Sequence, residues 1–306
     1  MYSLSGLCLL LPLLTIPVTT LGPQGNCTTC LPNPIATVYP YNVTGTINAT
    51  TSVLLVSIPY ARSLLPARFA NSILTHAYTR FNIPKNKYPI VIDAAIDHDI
   101  RYNNANPVAD FSSFRISFPF IDLLGDGYSS FRYIGFMYLP ADNAIAIAGT
   151  AAYGEIVLPA FFDPPNAPYE ATNNGRQISF AVYTNDITPT HPGPNQLVAR
   201  TLFRDFGKIS PVPLAFYRNV TNQPMFGNNT SVCDNQISFW NTTTSTSAYE
   251  PQGVFGDVLI SPPLVPKRRV YRGVRGIRAE RAFLENNLLP CESLKGYAGT
   301  GSGDSG

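Results

Sequence analysis

From residue 52 onward the chain carries short runs of β-branched and aromatic residues, each closed by Gly, Pro, Asn or Asp. SVLLVSIPY (52–60), YPIVIDAAI (88–96), FRISFPFIDL (114–123), SFRYIGFMYL (130–139) and NAIAIAGTAAYGEIVL (143–158) have this form, and RQISFAVYTN (176–185), PLAFYRNV (213–220) and GVFGDVLI (253–260) continue it. Runs of this kind predict strands. RSLLPARFANSILTHAY (62–78) mixes helical spacing with a Pro and predicts one or two short helices, and a further helix is expected over 278–289. Closely spaced strands with few helices between them predict a mostly β fold, an antiparallel sheet, sandwich or barrel. No internal repeat interrupts the pattern. The Thr/Pro/Asn-rich residues 21–52 are expected to loop around the body, 53–292 to form one domain, 221–250 to be a polar glycosylated insertion within it, and 293–306 to be a flexible tail.

Before the first strand, an apolar run from Leu7 to Val18 leads to small residues at Thr19 and Thr20. This predicts a signal peptide over residues 1–20 and a secretory destination. No later stretch is long and apolar enough for a transmembrane segment. Seven Asn-x-Ser/Thr sequons, at Asn26, Asn42, Asn48, Asn219, Asn228, Asn229 and Asn241, read as glycosylated surface loops. Cys8 leaves with the leader, and Cys27, Cys30, Cys233 and Cys291 remain, enough for two disulfides in three possible pairings. Pairing the N-terminal two with the C-terminal two would tie both ends of the chain to the domain. That is preferred to a redox-active Cys27–Cys30 site, because no βαβ context surrounds the pair, and no second cysteine or histidine pair stands at zinc-ligand spacing.

Composition narrows the function classes. With 45% hydrophobic residues among 306, the chain can bury a sizeable core, and a net charge of +2 leaves no footprint for nucleic acid. The one basic run, Lys267-Arg268-Arg269 followed by Arg272, Arg275, Arg278 and Arg281, is compatible with an anionic partner. The sequence leaves homo-oligomerisation open.

Residues 133–162, YIGFMYLPADNAIAIAGTAAYGEIVLPAFF, resemble the central segment of the acetoacetate decarboxylase family, in which a strand ending Met-Tyr-Leu precedes an Ala-Ile-Ala stretch, a Gly, and then a Pro with paired lysines. THAYTRF (75–81) followed by PIVID, and LFRDFGKISPVPLAFYRNV (202–220), resemble flanking parts of the same family. The resemblance implies a closed, cone-like antiparallel β-barrel around an apolar pocket for a small keto acid, without a cofactor. It also implies lyase chemistry in which a desolvated lysine amine forms a Schiff base that serves as the electron sink for loss of CO₂. Here the chain departs from the family. The lysine pair falls on Val157 and Leu158, or on Ala160 and Phe161 if Pro159 is matched instead, and Ser112 or Ser113 stands where a family carboxylate is expected.

Other side chains must then carry the chemistry. Glu155 sits in an otherwise apolar run, and a carboxyl facing inward there would have a raised pKa and serve as acid or base, whereas strand alternation could equally turn it outward. Arg115 and Arg132 interrupt apolar strands and are candidates for clamping a substrate carboxylate, with outward placement on alternating strands equally open, and Tyr153 is a candidate for offering a hydroxyl, with core packing its default. Asp97-His98-Asp99 is chemically rich but reads as a solvated loop after the strand. His76 and His191 read as structural, and no metal site is expected. Two readings follow: an enzyme acting on a small keto acid or related carboxylate, and a non-catalytic secreted or cell-surface binding protein on the same barrel.

Overall fold

The computed structural model describes residues 27, 30–103, 105–152, 154–184, 196–207, 212–246 and 249–297. The expected signal peptide, the sequon at Asn26, Tyr153, His191, Lys208 and most of the tail lie outside them. Fourteen strands form one large sheet. In chain order they are β1 (Val43–Ser57), β2 (Lys87–Tyr102), β3 (Ala105–Val108), β4 (Phe111–Ile121), β5 (Phe131–Tyr133), β6 (Phe136–Pro140), β7 (Ile156–Asp163), β8 (Glu170–Thr172), β9 (Gln177–Thr184), β10 (Leu197–Gly207), β11 (Met225–Phe226), β12 (Val232–Phe239), β13 (Gln252–Ile260) and β14 (Arg269–Pro290). The helices are α1 (Ile58–Leu64), α2 (Thr75–Thr79), α3 (Ala144–Ala152) and α4 (Leu214–Thr221).

The expectation of a mostly β chain with a few short helices holds. The sheet is mixed, however: β6 runs parallel to β7 and β5 parallel to β11, while the other pairs are antiparallel. The pairings link ten strands into a ring, from β12 through β11, β5, β4, β6, β7, β9, β10 and β13 to β14, which pairs back with β12. The β6–β7 connection is parallel because α3 carries the chain back across the sheet, as a parallel pair requires a crossover.

Several expected elements change type, each for a physical reason. Residues 43–52, expected to loop, form most of β1, which pairs with β14 on one side and β2 on the other. Its threonines suit a strand because their β-branched side chains pack on a pleated surface. Ala144–Ala152, expected as strand, is helical, since Ala is the strongest helix former and Asn143 accepts a side-chain hydrogen bond from the Ala146 amide, in the manner of a cap. Leu214–Thr221 is likewise a helix, begun by Pro213 at its N-cap. Conversely 278–289 is strand. Its charges are paired on both faces of β14: Glu280 meets His98, and Arg281 donates to Ser238 and lies over the Trp240 ring. The stretch 221–250, expected as a polar insertion, supplies β11 and β12 to the sheet, and within it Asn222 accepts from the Ser238 amide at 2.6 Å.

The disulfides are Cys27–Cys30 and Cys233–Cys291, so the N-terminal pair is bonded to itself and not to the C-terminal cysteines as expected. The N-terminal strap is instead held by carboxylates: Leu31 donates its amide to Glu280, Asn33 to Asp99 and Cys27 to Asp110. The sequons divide. Asn42, Asn228 and Asn241 are exposed and Asn229 is half-buried. Asn219 is buried in α4, and Asn48 lies in mid-β1 with its amide on Glu280, so neither is on a surface loop. Among the described residues no helix is long and apolar enough to cross a membrane.

Candidate functional site

A cavity of about 330 Å³ opens where β2, β4, β12 and β14 converge under α3. Its outer wall is α3, which contributes Ile145, Ala146, Gly149 and Thr150 and buries none of its own residues. Opposite lie apolar side chains including Ile100, Val108, Phe111 and Phe283, and the floor is ionisable: Asp97, Arg115, Glu155, Asp234 and Glu285. A second cavity of about 390 Å³, near Ile116, Tyr133 and Leu264, has no carboxyl or guanidinium group in its lining and offers far less chemistry.

Strand register builds the floor. Asp93 on β2 stands opposite Arg115 on β4, and Arg115 opposite Met137 on β6, so the three form a row across the sheet. Arg115 Nε lies 3.4 Å from Asp93 Oδ2, and Thr51 of β1 donates to Asp93 Oδ1 at 2.8 Å. Asp97 follows four residues after Asp93 on the same face, as strand alternation dictates. Arg132, on β5, is buried behind the floor and does not line the cavity: its Nη1 is 3.8 Å from Asp93 Oδ2 and its Nη2 2.7 Å from Met225 Sδ.

Glu155 is placed by backbone contact. It follows Gly154, which takes φ +78, and Gly154 abuts residues 227–229 so closely that a Cβ there would lie 2.2 Å from the Asn229 amide nitrogen. A Cβ on the facing Gly227 would lie 2.5 Å from the Glu155 nitrogen. The Asn228 amide donates to the Gly154 carbonyl at 2.8 Å, and the Ile156 amide to Gly135 at 3.0 Å. Held this way, Glu155 is buried at the cavity and not turned to solvent.

Burial in low dielectric disfavours a lone charge, whereas a facing opposite charge restores it. Burial pushes Glu155 up to about 8 against the pull of Arg115 and Arg132. Asp97 rises to about 6, again through burial outweighing Arg115. Burial also raises Asp234 well above the usual carboxylate range, helped by the charge of Glu285 and a hydrogen bond with it. Asp93 goes the other way: burial would raise it, but Arg115, Arg132 and Arg281 together hold it below its ordinary value. Burial, then repulsion from Arg115, lowers Arg132 to about 9.

The structure therefore brings together two of the expected site residues, Glu155 and Arg115, and sets Arg132 just behind them. Asp97-His98-Asp99 is not a solvated loop. It continues β2, with Asp97 on the cavity and His98 buried on the far side, its Nε2 2.9 Å from Glu280. Cys30, His98 and Glu280 bring ligand atoms within 4.8 Å of one another, but the Cys30 sulfur is bonded to Cys27 and is no thiolate. Sequence reading missed Asp93, Asp234 and Glu285. Asp93 carried the signal that drew attention to Glu155, an acid inside an apolar strand; Asp234 was hidden in a polar stretch, and Glu285 in an expected helix. Among the described lysines, Lys85, Lys87, Lys267 and Lys295, none lines the cavity.

No protein-family model matches the sequence, and no curated protein matches it. Solved structures do. The enduracididine biosynthesis enzyme MppR complexed with pyruvate is 11% identical at a TM-score of 0.47, over 88% of this chain and 99% of that one. An acetoacetate decarboxylase-like enzyme from Sphingomonas wittichii is 7% identical at 0.44, over 87% and 99%. Acetoacetate decarboxylase from Legionella pneumophila is 10% identical at 0.42, over 82% and 88%. The likeness is one of fold, to acetoacetate decarboxylase-like enzymes. The chemistry open to this chain rests on its own residues.

Proposed function

We propose that the chain is an enzyme of the secretory pathway that binds a small keto acid or related carboxylate in this cavity and transfers a proton to it from Glu155. The observation that carries the reading is the position of Glu155: a buried carboxyl on the cavity, protonated at neutral pH by desolvation, beside a guanidinium that stays charged. Arg115 is the carboxylate partner, because Asp93, Asp97 and Glu155 outweigh the effect of burial and hold its pKa above the ordinary value. A buried acid whose pKa lies near the working pH suits general acid catalysis.

For a β-keto acid the step is a lysine-independent decarboxylation. The bond between the α-carbon and the carboxylate breaks, its electron pair forms the enol double bond, the keto oxygen takes the proton of Glu155, and CO₂ leaves. Glu155 is then a carboxylate and recovers its proton from solvent. The two disulfides support maturation in an oxidising compartment, where such bonds persist.

The test is proton NMR of the glycosylated protein with a panel of β-keto acids, each corrected for spontaneous loss of CO₂. Consumption above that background, reduced at least tenfold in Glu155→Gln, is expected. A panel that binds, seen as line broadening, without being consumed would sink the catalytic step. It would favour the second reading, a binding protein on the same fold, which a lining without lysine among the described residues also supports.

A further inference from the structure

The charges lining the cavity are unequal. Among the described residues Arg115 is its one cationic side chain, against the four carboxyls of Asp97, Glu155, Asp234 and Glu285. Arg132 and Arg281 are engaged elsewhere, their charges acting on Asp93. Asp234 of β12 and Glu285 of β14 lie on neighbouring strands and share a hydrogen bond. Gln236, directly opposite Glu285 in the register, donates to Glu285 Oε2 at 2.9 Å. Asp234 Oδ1 is buried and accepts no hydrogen bond, although the residue lines the cavity. A buried polar atom with no partner costs free energy, and such atoms are rare in native folds unless a ligand or a function accounts for them.

We propose that the Asp234–Glu285 wall receives a protonated primary amine, so that the ligand of this cavity is a small organic acid carrying an amino group at its other end. The inference rests on the reading of the cavity as an organic-acid site and narrows the substrate class. Arg115 takes the acid end, the apolar side chains of Ile100, Phe111 and Phe283 cover the hydrocarbon between, and the ammonium donates to Asp234 Oδ1 and to Glu285. Burial and the neighbouring charge of Glu285 favour the protonated form of Asp234, which needs a counter-charge before it ionises. An ammonium supplies it, and the Asp234 proton leaves to solvent as the amine binds. The other groups facing this pair are Gln236 on β12, Arg115 on β4, Asp97 on β2 and Glu155 ahead of β7. Of these Arg115 repels an ammonium, which turns the amine away from it and toward the carboxyls.

Isothermal titration calorimetry of the full chain with butanoate, butylamine and 4-aminobutanoate, at pH 7 in two buffers of different ionisation enthalpy, tests this. The expected result is 4-aminobutanoate binding at least tenfold more tightly than butanoate, with net proton release that butanoate lacks, and with both the preference and the release lost in Asp234→Asn. Equal affinity for the two acids with no proton release overturns the ammonium site while leaving the organic-acid reading intact. Binding of butylamine with proton release, but of neither acid, supports the ammonium site and overturns the organic-acid reading. These wild-type comparisons decide the matter even if Asp234→Asn fails to fold.

Discussion

Replacing Glu155 with glutamine removes one ionisable group and nearly preserves its shape, which makes the energetic claim about this residue measurable. In the fold the carboxyl ionises near 8, while its ordinary value is 4.5. Between those values the folded chain binds one proton more than the unfolded chain, so this residue's contribution is fully present below pH 4.5 and is lost as pH rises toward 8. At 1.36 kcal/mol per pH unit, the whole interval amounts to roughly 5 kcal/mol. From pH 6 to pH 8 the share is about 2 to 3 kcal/mol. Asp97, also raised, and Asp93, lowered, titrate in both proteins and largely cancel in the difference between them. Urea unfolding of wild type and Glu155→Gln at pH 6, 7 and 8 should therefore show the variant gaining on the wild type by that amount across the range. Unfolding free energies that stay parallel from pH 6 to pH 8 would mean that Glu155 is already ionised in the fold, and the argument for a neutral acid at the cavity would fail.

Gly154→Ala places a Cβ against the Asn229 backbone at a positive φ, and should lower the unfolding free energy by at least about 2 kcal/mol and weaken ligand binding with it; an unchanged melting temperature would show that the turn yields freely. Replacing Cys233 and Cys291 with alanine opens a bridge spanning 58 residues, and the chain-entropy relation puts the loss at about 4 kcal/mol; chemical denaturation under non-reducing conditions measures it. Glycopeptide mapping of protein made in a secretory host should find glycans on the exposed Asn42 and Asn241 and none on Asn48 or Asn219. A glycan on folded protein at Asn219 would contradict the packing of α4.

How much could be read beforehand follows from what each segment's neighbours do. The strands at 88–96, 114–123 and 130–139 were legible because their β-branched and aromatic residues sit in a sheet whose interior is apolar on the larger side. Ala144–Ala152 was not, since a run made mostly of Ala and Ile carries no period to separate helix from strand. β14 was misread because its charges imitate a solvated helix, whereas in the fold they meet His98 and Ser238 from opposite sides. Glu155 and Arg115 announced themselves as charges in apolar runs. The Asp234–Glu285 pair did not, because 51 residues separate its members and only the register of β12 on β14 brings them together.

That register has a consequence for how the site holds together. Cys233 immediately precedes Asp234, and its bond to Cys291 fastens the start of β12 to the end of β14. Between Cys233–Leu289 and Asn235–Asn286 the pairing slips by one residue, with Leu288 at φ 56, and Asp234 sits at that irregularity. A slip of one residue in a strand turns every side chain to the opposite face. The bridge therefore acts as a latch on the alignment of the acid pair. The alignment of Asp234 with Glu285 and a share of the chain's stability thus rest on the same bond, so that loosening one loosens the other.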